Sequence, residues 1–286
     1  MDDLMNSQVT VYTSESQVRS PGKLVRSMWR DFRASRELSW RLFVRDLSAQ
    51  YRQSFFGIIW AFVPPIVTSV IFIFLQSRNI VNFGETDIPY PVYVLVSVVL
   101  WQIFAESLNG PLKSVTAAKP LLAKINFPRE ALIISAFYMA LFNILIKMVI
   151  ILAVILAFRI PLTWGLLLAP VAVLMLCLLG FAVGLTLTPV GMLYTDIGTS
   201  IPIFIQLFFF VTPVVYPVPE EFPFSLIAVL NPVSPLLIAA RDLITVGSIS
   251  NPIAFTIVSI LTLVLLLIAW VIYRLSLPII IERMSA

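Results

Sequence analysis

The chain has 286 residues, 59% of them hydrophobic, with a mean hydropathy of +0.98 and a net charge of +4. Only 12% are charged, against roughly 25% in a soluble domain, so an integral membrane protein is expected. The absence of histidine excludes Ser-His and Cys-His nucleophilic catalysis and His-ligated metals. The single cysteine, Cys177, lies in an apolar run and reads as a buried, inert thiol outside any disulfide framework.

Residues 1–34 read as a polar, partly disordered cytosolic N-terminus. No cleavable signal is expected, because the first apolar run begins only near Gln53. Residues 35–52 have two faces: Trp40, Phe43, Leu47 and Tyr51 on one, Arg41, Arg45, Ser48 and Arg52 on the other. That pattern predicts an amphipathic helix at the membrane interface. Residues 53–275 then read as one transmembrane domain.

Runs free of Asp, Glu, Lys and Arg predict six spans: Gln53–Ser77, Ile88–Ala105, Ala131–Phe158 (broken only by Lys147), about Trp164–Thr188, Ile197–Pro219 and about Asn251–Tyr273. The segment 222–240 is equally free of charge, but Pro223, Pro232 and Pro235 interrupt it. Within 217–250 a re-entrant pair of half-helices is therefore expected on the extracytoplasmic side. Residues 276–286 are left as a cytosolic tail.

Charge bias orients the spans. Fifteen of the nineteen Lys and Arg fall in the N-terminal region, the 110–130 loop and the C-terminus, and three (Arg78, Arg159, Arg241) on the opposite face. Both termini and the basic loop are thus expected in the cytosol.

Several features carry both a functional and a plain structural reading. Lys147 continues an i, i+4 stripe from Ser135 through Met139 and Asn143. It faces a polar interior or path, or it snorkels to the outer headgroups. Glu106 reads as interfacial, near the cytosolic end of the second span, and Gly180 with Gly184 as a helix-packing pair. The aromatics of the first and fifth spans either line a path or face lipid and neighbouring helices. No phosphate-binding Gly-rich loop with its Lys-Ser/Thr is present, so no ATP site of that type is expected.

Four segments together carry a resemblance. They are Tyr51-Arg52-Gln53-Ser54 with Phe56–Phe62, then Lys124-Ile125-Asn126-Phe127-Pro128-Arg129-Glu130, then Gln206–Pro217, and finally Leu230–Leu236 with Arg241-Asp242. In this order and spacing, over about residues 35–275, the chain resembles the permease subunit of ABC-2 type exporters of polysaccharides and polyol-phosphate polymers, the O-antigen, capsule and teichoic-acid exporters. Residues 1–30 have no counterpart in that pattern. The turn Tyr194-Thr195-Asp196-Ile197 lacks the arginine usually found before the Asp.

The resemblance implies an all-α integral membrane fold and a homodimer in the bacterial plasma (inner) membrane. Two copies of a separate ABC ATPase subunit would bind the ATP and Mg, so the chain itself holds no cofactor, is not an enzyme and binds no nucleic acid. The implied substrate is a lipid-linked polysaccharide; a small-molecule or drug exporter, or a membrane-embedded glycan or lipid synthesis enzyme, are the alternatives. Within the basic loop, Lys119, Leu121, Leu122, Lys124, Ile125, Phe127, Arg129 and Glu130 are implied to couple to the ATPase, where the bare reading is a solvated positive loop. Arg41, Arg45 and Arg52 are candidates for the lipid phosphate. Phe56, Trp60, Phe62, Phe204, Phe208 and Tyr216 are candidates for the glycan path, and Tyr216, Pro217, Asn231 and Pro232 for an outer gate.

Overall fold

The computed structural model describes residues 21–52, 55–122, 128–218, 222 and 224–285, and these are helical with no strand among them. In chain order the helices are α1 (Pro21–Ala34), α2 (Arg36–Arg52), α3 (Val63–Ser77, preceded by a 3-10 turn Gly57–Ala61), α4 (Tyr90–Ala117) and α5 (Lys119–Leu122). They continue as α6 (Glu130–Ala157), α7 (Gly165–Leu193), α8 (Thr195–Val211), α9 (Phe224–Leu230), α10 (Val233–Thr245) and α11 (Pro252–Ser285). Five stretches are long and apolar enough to cross a membrane: Gly57–Ser77, α4, α6, α7 and α11 through Ile280.

α4 is the axis of the bundle, with α7, α6, α3 and α10 packed around it. The α4–α7 seam is the closest, and its cause is in the sequence. Gly180, Gly184 and Gly191 of α7 face Phe104, Leu108 and Leu112 of α4. A methyl group on Gly184 would overlap the Leu108 carbonyl, and one on Gly180 would lie 2.5 Å from the Phe104 carbonyl oxygen. Removing side chains along one stripe lets backbones touch, the means by which apolar helices gain contact when lipid offers no hydrophobic drive. The glycine pair is therefore helix packing. Cys177 is buried beside it, within reach of the Ser107 hydroxyl at 3.2 Å.

Several boundaries differ from expectation. α1 occupies much of the stretch expected as a polar N-terminus, and its Met28 and Asp31 are buried. Residues 1–20 lie outside the described residues. α4 continues through Pro111 to Ala117, so the first eight residues of the expected 110–130 loop are helix; residues 123–127 lie outside the described ones. α8 has 17 residues, about 25 Å at ~1.5 Å per residue, and ends at Val211, short of the expected Pro219. The chain turns there because Asn231 Nδ2 donates to Thr212 Oγ1 at 2.8 Å, while Pro213 has no N–H to continue the helix. The 217–250 segment does form two short helices, α9 and α10, divided at Asn231-Pro232. The expected tail is the last turns of α11.

The packed face of α2 is turned from the expected one: Phe43 is buried and Leu47 and Tyr51 half-buried, but Trp40 is not on it and two serines are. Ser35, just before it, with Ser39, Leu42 and Phe43 are buried on this side, whereas Trp40 is 57% exposed. The serines qualify because each hydroxyl donates back to its own helix, Ser35 Oγ to the Asp31 carbonyl and Ser39 Oγ to the Ser35 carbonyl, both at 2.6 Å. With their polar atoms satisfied they act as small residues, and α2 settles closely on α6.

The seam yields a paired expectation. Gly184→Val should cost about 3 kcal/mol through overpacking against a backbone carbonyl that cannot move aside. Gly198→Ala should be neutral or stabilising, because a methyl there meets only Leu112 Cδ2 at 3.9 Å. Unfolding midpoints of the two variants in detergent check both.

Candidate functional sites

At one end of the bundle three distant segments meet. Arg274 of α11 pairs with Glu130, the first residue of α6, and with Asp31 of α1 at 2.7 Å. The Arg274 side chain is 9% exposed and its two acids are equally enclosed. Beside them the Tyr273 hydroxyl donates to the Arg129 carbonyl at 3.4 Å. Glu130, assigned to the coupling set from sequence, is thus turned inward onto α11. Lys119 donates to the Met192 carbonyl at 3.1 Å, closing the C-terminal end of α7 where carbonyls lack helical partners. Leu122 is buried among Val115, Ala131 and Leu132, and it anchors the basic loop to the bundle. Leu121 is half-buried. Lys124, Ile125 and Phe127 lie outside the described residues.

The three arginines proposed for a lipid phosphate are spread along the exposed side of α2. Arg41 pairs with Glu37 at 2.6 Å and Arg45 with Asp46 at 2.7 Å, and such exposed or part-exposed pairs contribute little to stability. Arg52 is exposed at the helix end.

Higher in the bundle, Lys147 of α6 is 1% exposed and ion-pairs with Glu106 of α4, which keeps 42% of its side chain exposed. The snorkelling alternative is overturned: the ammonium turns inward to a carboxylate. Glu106 is correspondingly not a residue of the helix end, since α4 continues eleven residues beyond it. Asn143 and Met139 line the same groove, so three members of the predicted stripe face one space; Ser135 is buried below it. Sequence reasoning found the lysine but not its partner, which lies 41 residues away on another helix.

The aromatics expected to share a path fall into separate places. Phe56 and Trp60 stand edge to face at 5.9 Å beside that polar groove. Phe204 and Phe208 line an apolar groove of about 410 Å³ against the Phe104 and Leu108 face of α4. Phe62 packs on the main core, and Tyr216 turns its hydroxyl to the Phe210 carbonyl at 2.7 Å.

The turn after α8 is tied to α4. Tyr90 and Tyr93 donate to the carbonyls of Val215 and Tyr216 at 3.1 and 2.8 Å. Asn231 also accepts from the Val233 N–H at 2.9 Å. Pro217 rests against Gly84, and Pro232 borders the apolar groove. Arg241, missed as a site residue, is central here. Its guanidinium sits 4.0 Å over the Tyr93 ring and donates to Ser97 Oγ at 3.2 Å, a desolvated cation-π arrangement. The acidic turn at Asp196 is exposed, its carbonyl accepting from Thr199 and Ser200.

Comparison with known proteins bears on this arrangement. Residues 37–245 match the ABC-2 type transporter family. The O-antigen export system permease protein RfbA of Myxococcus xanthus is 29% identical over 200 residues, 68% of this chain and 74% of the relative. A Klebsiella pneumoniae protein of the same name is 25% identical over 211 residues, 71% and 78% of the two chains. The polysialic acid transport protein KpsM of Escherichia coli is 22% identical over 253 residues, 82% and 91%.

The buried base makes a definite expectation. Arg274→Met leaves Glu130 and Asp31 enclosed without their counter-charge, a loss of about 3–5 kcal/mol. Adding Glu130→Gln and Asp31→Asn should restore much of it, because the cost lies in the orphaned charges. Denaturant unfolding in micelles compares the two.

Proposed function

Because the chain belongs to the ABC-2 type transporter family, we propose that it is the membrane permease subunit of an ATP-driven exporter, moving a lipid-linked cell-surface polysaccharide outward from the cytoplasmic side. The observation that carries this reading is the similarity to O-antigen and polysialic acid transport proteins over more than two thirds of both chains. The composition agrees: an apolar bundle without histidine offers a route and little catalytic chemistry.

In this reading ATP and Mg belong to a separate ATPase subunit, present in two copies beneath a permease homodimer in the plasma membrane. The basic loop is the contact. Leu122 fixes it to the bundle and Lys119 ties it to the end of α7, so a push on Lys119–Arg129 reaches α4, α6 and α7 together. Arg41, Arg45 and Arg52 would meet the lipid phosphate at the inner leaflet. Tyr216, Pro217, Asn231 and Pro232 would form the outer gate. α8 counts as a span, the fifth of six in chain order, which keeps both termini in the cytosol; five crossings would separate them.

Deleting the gene should abolish the surface polysaccharide of its host with lipid-linked glycan accumulating inside, and surface glycan at the wild-type level would sink the reading. Leu121→Asp with Phe127→Asp should abolish co-purification of the ATPase and export while the chain still inserts. Topology is checked by reporters, expected outside after Arg78 and Arg159 and inside after Lys119 and Ala286. An outside result at Ala286 would mean five crossings.

A further inference from the structure

Between the last turn of α2, the Gly57–Ala61 turn, α4 and α6 lies a polar groove of about 390 Å³, within the roughly 300–1,000 Å³ range of small-ligand sites. Among the residues that line it are Glu106, with the enclosed Lys147 paired behind its carboxylate, the amide-bearing Gln50, Asn109 and Asn143, and Trp60. These groups come from four chain segments that share no local reason to converge.

We propose that this groove is a saccharide subsite, holding one sugar ring of the exported glycan; the inference rests on the polysaccharide reading above and adds to it a place and a chemistry. The charges select the ligand. An anion such as a phosphate would enter against Glu106, whose side chain is 42% exposed. A cation would meet Lys147 and, at the rim, the exposed Lys113. An apolar tail would strip water from three amides and return no hydrogen bond. A sugar hydroxyl both donates and accepts, so one ring can give a hydrogen to Glu106 and take one from an amide.

Trp60 supplies the remaining element. Its ring is 55% exposed and held edge to face by Phe56 at 5.9 Å, a fixed flat surface for the apolar face of a pyranose. Tyr51 completes the rim. Burial first, then the Glu106 carboxylate, raise its pKa above the usual phenol value, so it remains a neutral donor. The Lys147–Glu106 pair also gains a reason to exist. A buried ion pair is a poor source of stability compared with apolar packing, whereas this one, its ammonium enclosed and its carboxylate 42% exposed, holds a charged acceptor in the groove where hydrocarbon offers none.

The test uses the full chain with its ATPase subunit in nanodiscs, labelled with 5-fluorotryptophan, the Trp60 resonance assigned by its loss in Trp60→Phe. Octyl glucoside and, separately, octyl phosphate are titrated below their micelle-forming concentrations. The expected result is a saturable Trp60 shift with the glucoside only. Asn143→Ala and Glu106→Gln should each weaken it by about ten-fold. Asn143→Ala leaves the ion pair intact, so its result does not depend on surviving the loss of a buried partner. A shift with octyl phosphate and none with the glucoside would make this an anion site and overturn the proposal, as would no saturable response to either. In cells, both variants should lower surface polysaccharide. If deletion abolishes export yet both variants export at the wild-type rate, the subsite falls while the exporter reading stands. If deletion changes nothing, the exporter reading falls, and the titration alone decides the groove.

Discussion

Charge inside an apolar bundle must be matched across helices, and that requirement fixes how this molecule is held together. An unpaired ion in such a medium costs several kcal/mol, so each enclosed charge acts as an address for its partners. Arg274 addresses Glu130 and Asp31 and thereby brings α11, α6 and α1 to one point. Lys147 addresses Glu106 and joins α6 to α4. Arg241 rests on Tyr93 and joins α10 to α4. Apolar packing against lipid has no such selectivity, since one leucine face meets lipid or another helix with little difference. The polar contacts therefore choose the arrangement, and the glycine seam between α4 and α7 lets it close.

How much was legible in the sequence follows from the range over which each cause acts. The spans and their order come from local composition, and the α6 and α7 boundaries lie within a few residues of expectation. Gly180 and Gly184 are also local, four residues apart on one helix. The partners of Lys147 and Arg274 are not, since they lie 41 and up to 243 residues away, and no period or motif connects them. The face of α2 was misjudged for a different reason. Polarity scales treat Ser35 and Ser39 as solvent-facing, but each spends its hydroxyl on its own helix and then behaves as a small residue. Length misled at α8, where the apolar run continues but Thr212, Pro213 and Asn231 stop the helix.

The candidate site was legible in composition and illegible in assembly. Phe56 and Trp60 do flank a polar groove, while Phe204 and Phe208 belong to an apolar one on the opposite face of α4. A single helix thus separates two environments of different chemistry, polar at Glu106 and Asn109 and apolar at Phe104 and Leu108. A lipid-linked glycan has the same two characters, a polyhydroxyl chain and a hydrocarbon tail.

α4 runs for 28 residues, about 42 Å at ~1.5 Å per residue. At its N-terminal end Tyr90 and Tyr93 hold the carbonyls of Val215 and Tyr216, and at its C-terminal, inner end in the proposed orientation it passes through Ala118 into α5. Such a helix is a strut: stiff along its axis, it delivers at one end a displacement applied at the other. Pro111, six residues before the inner end, is the one place where its ladder of hydrogen bonds is broken. Any bend of α4 would be centred there, close to the basic loop, and a tilt of the six-residue arm would be read out on the twenty-one-residue arm, a lever more than three times as long.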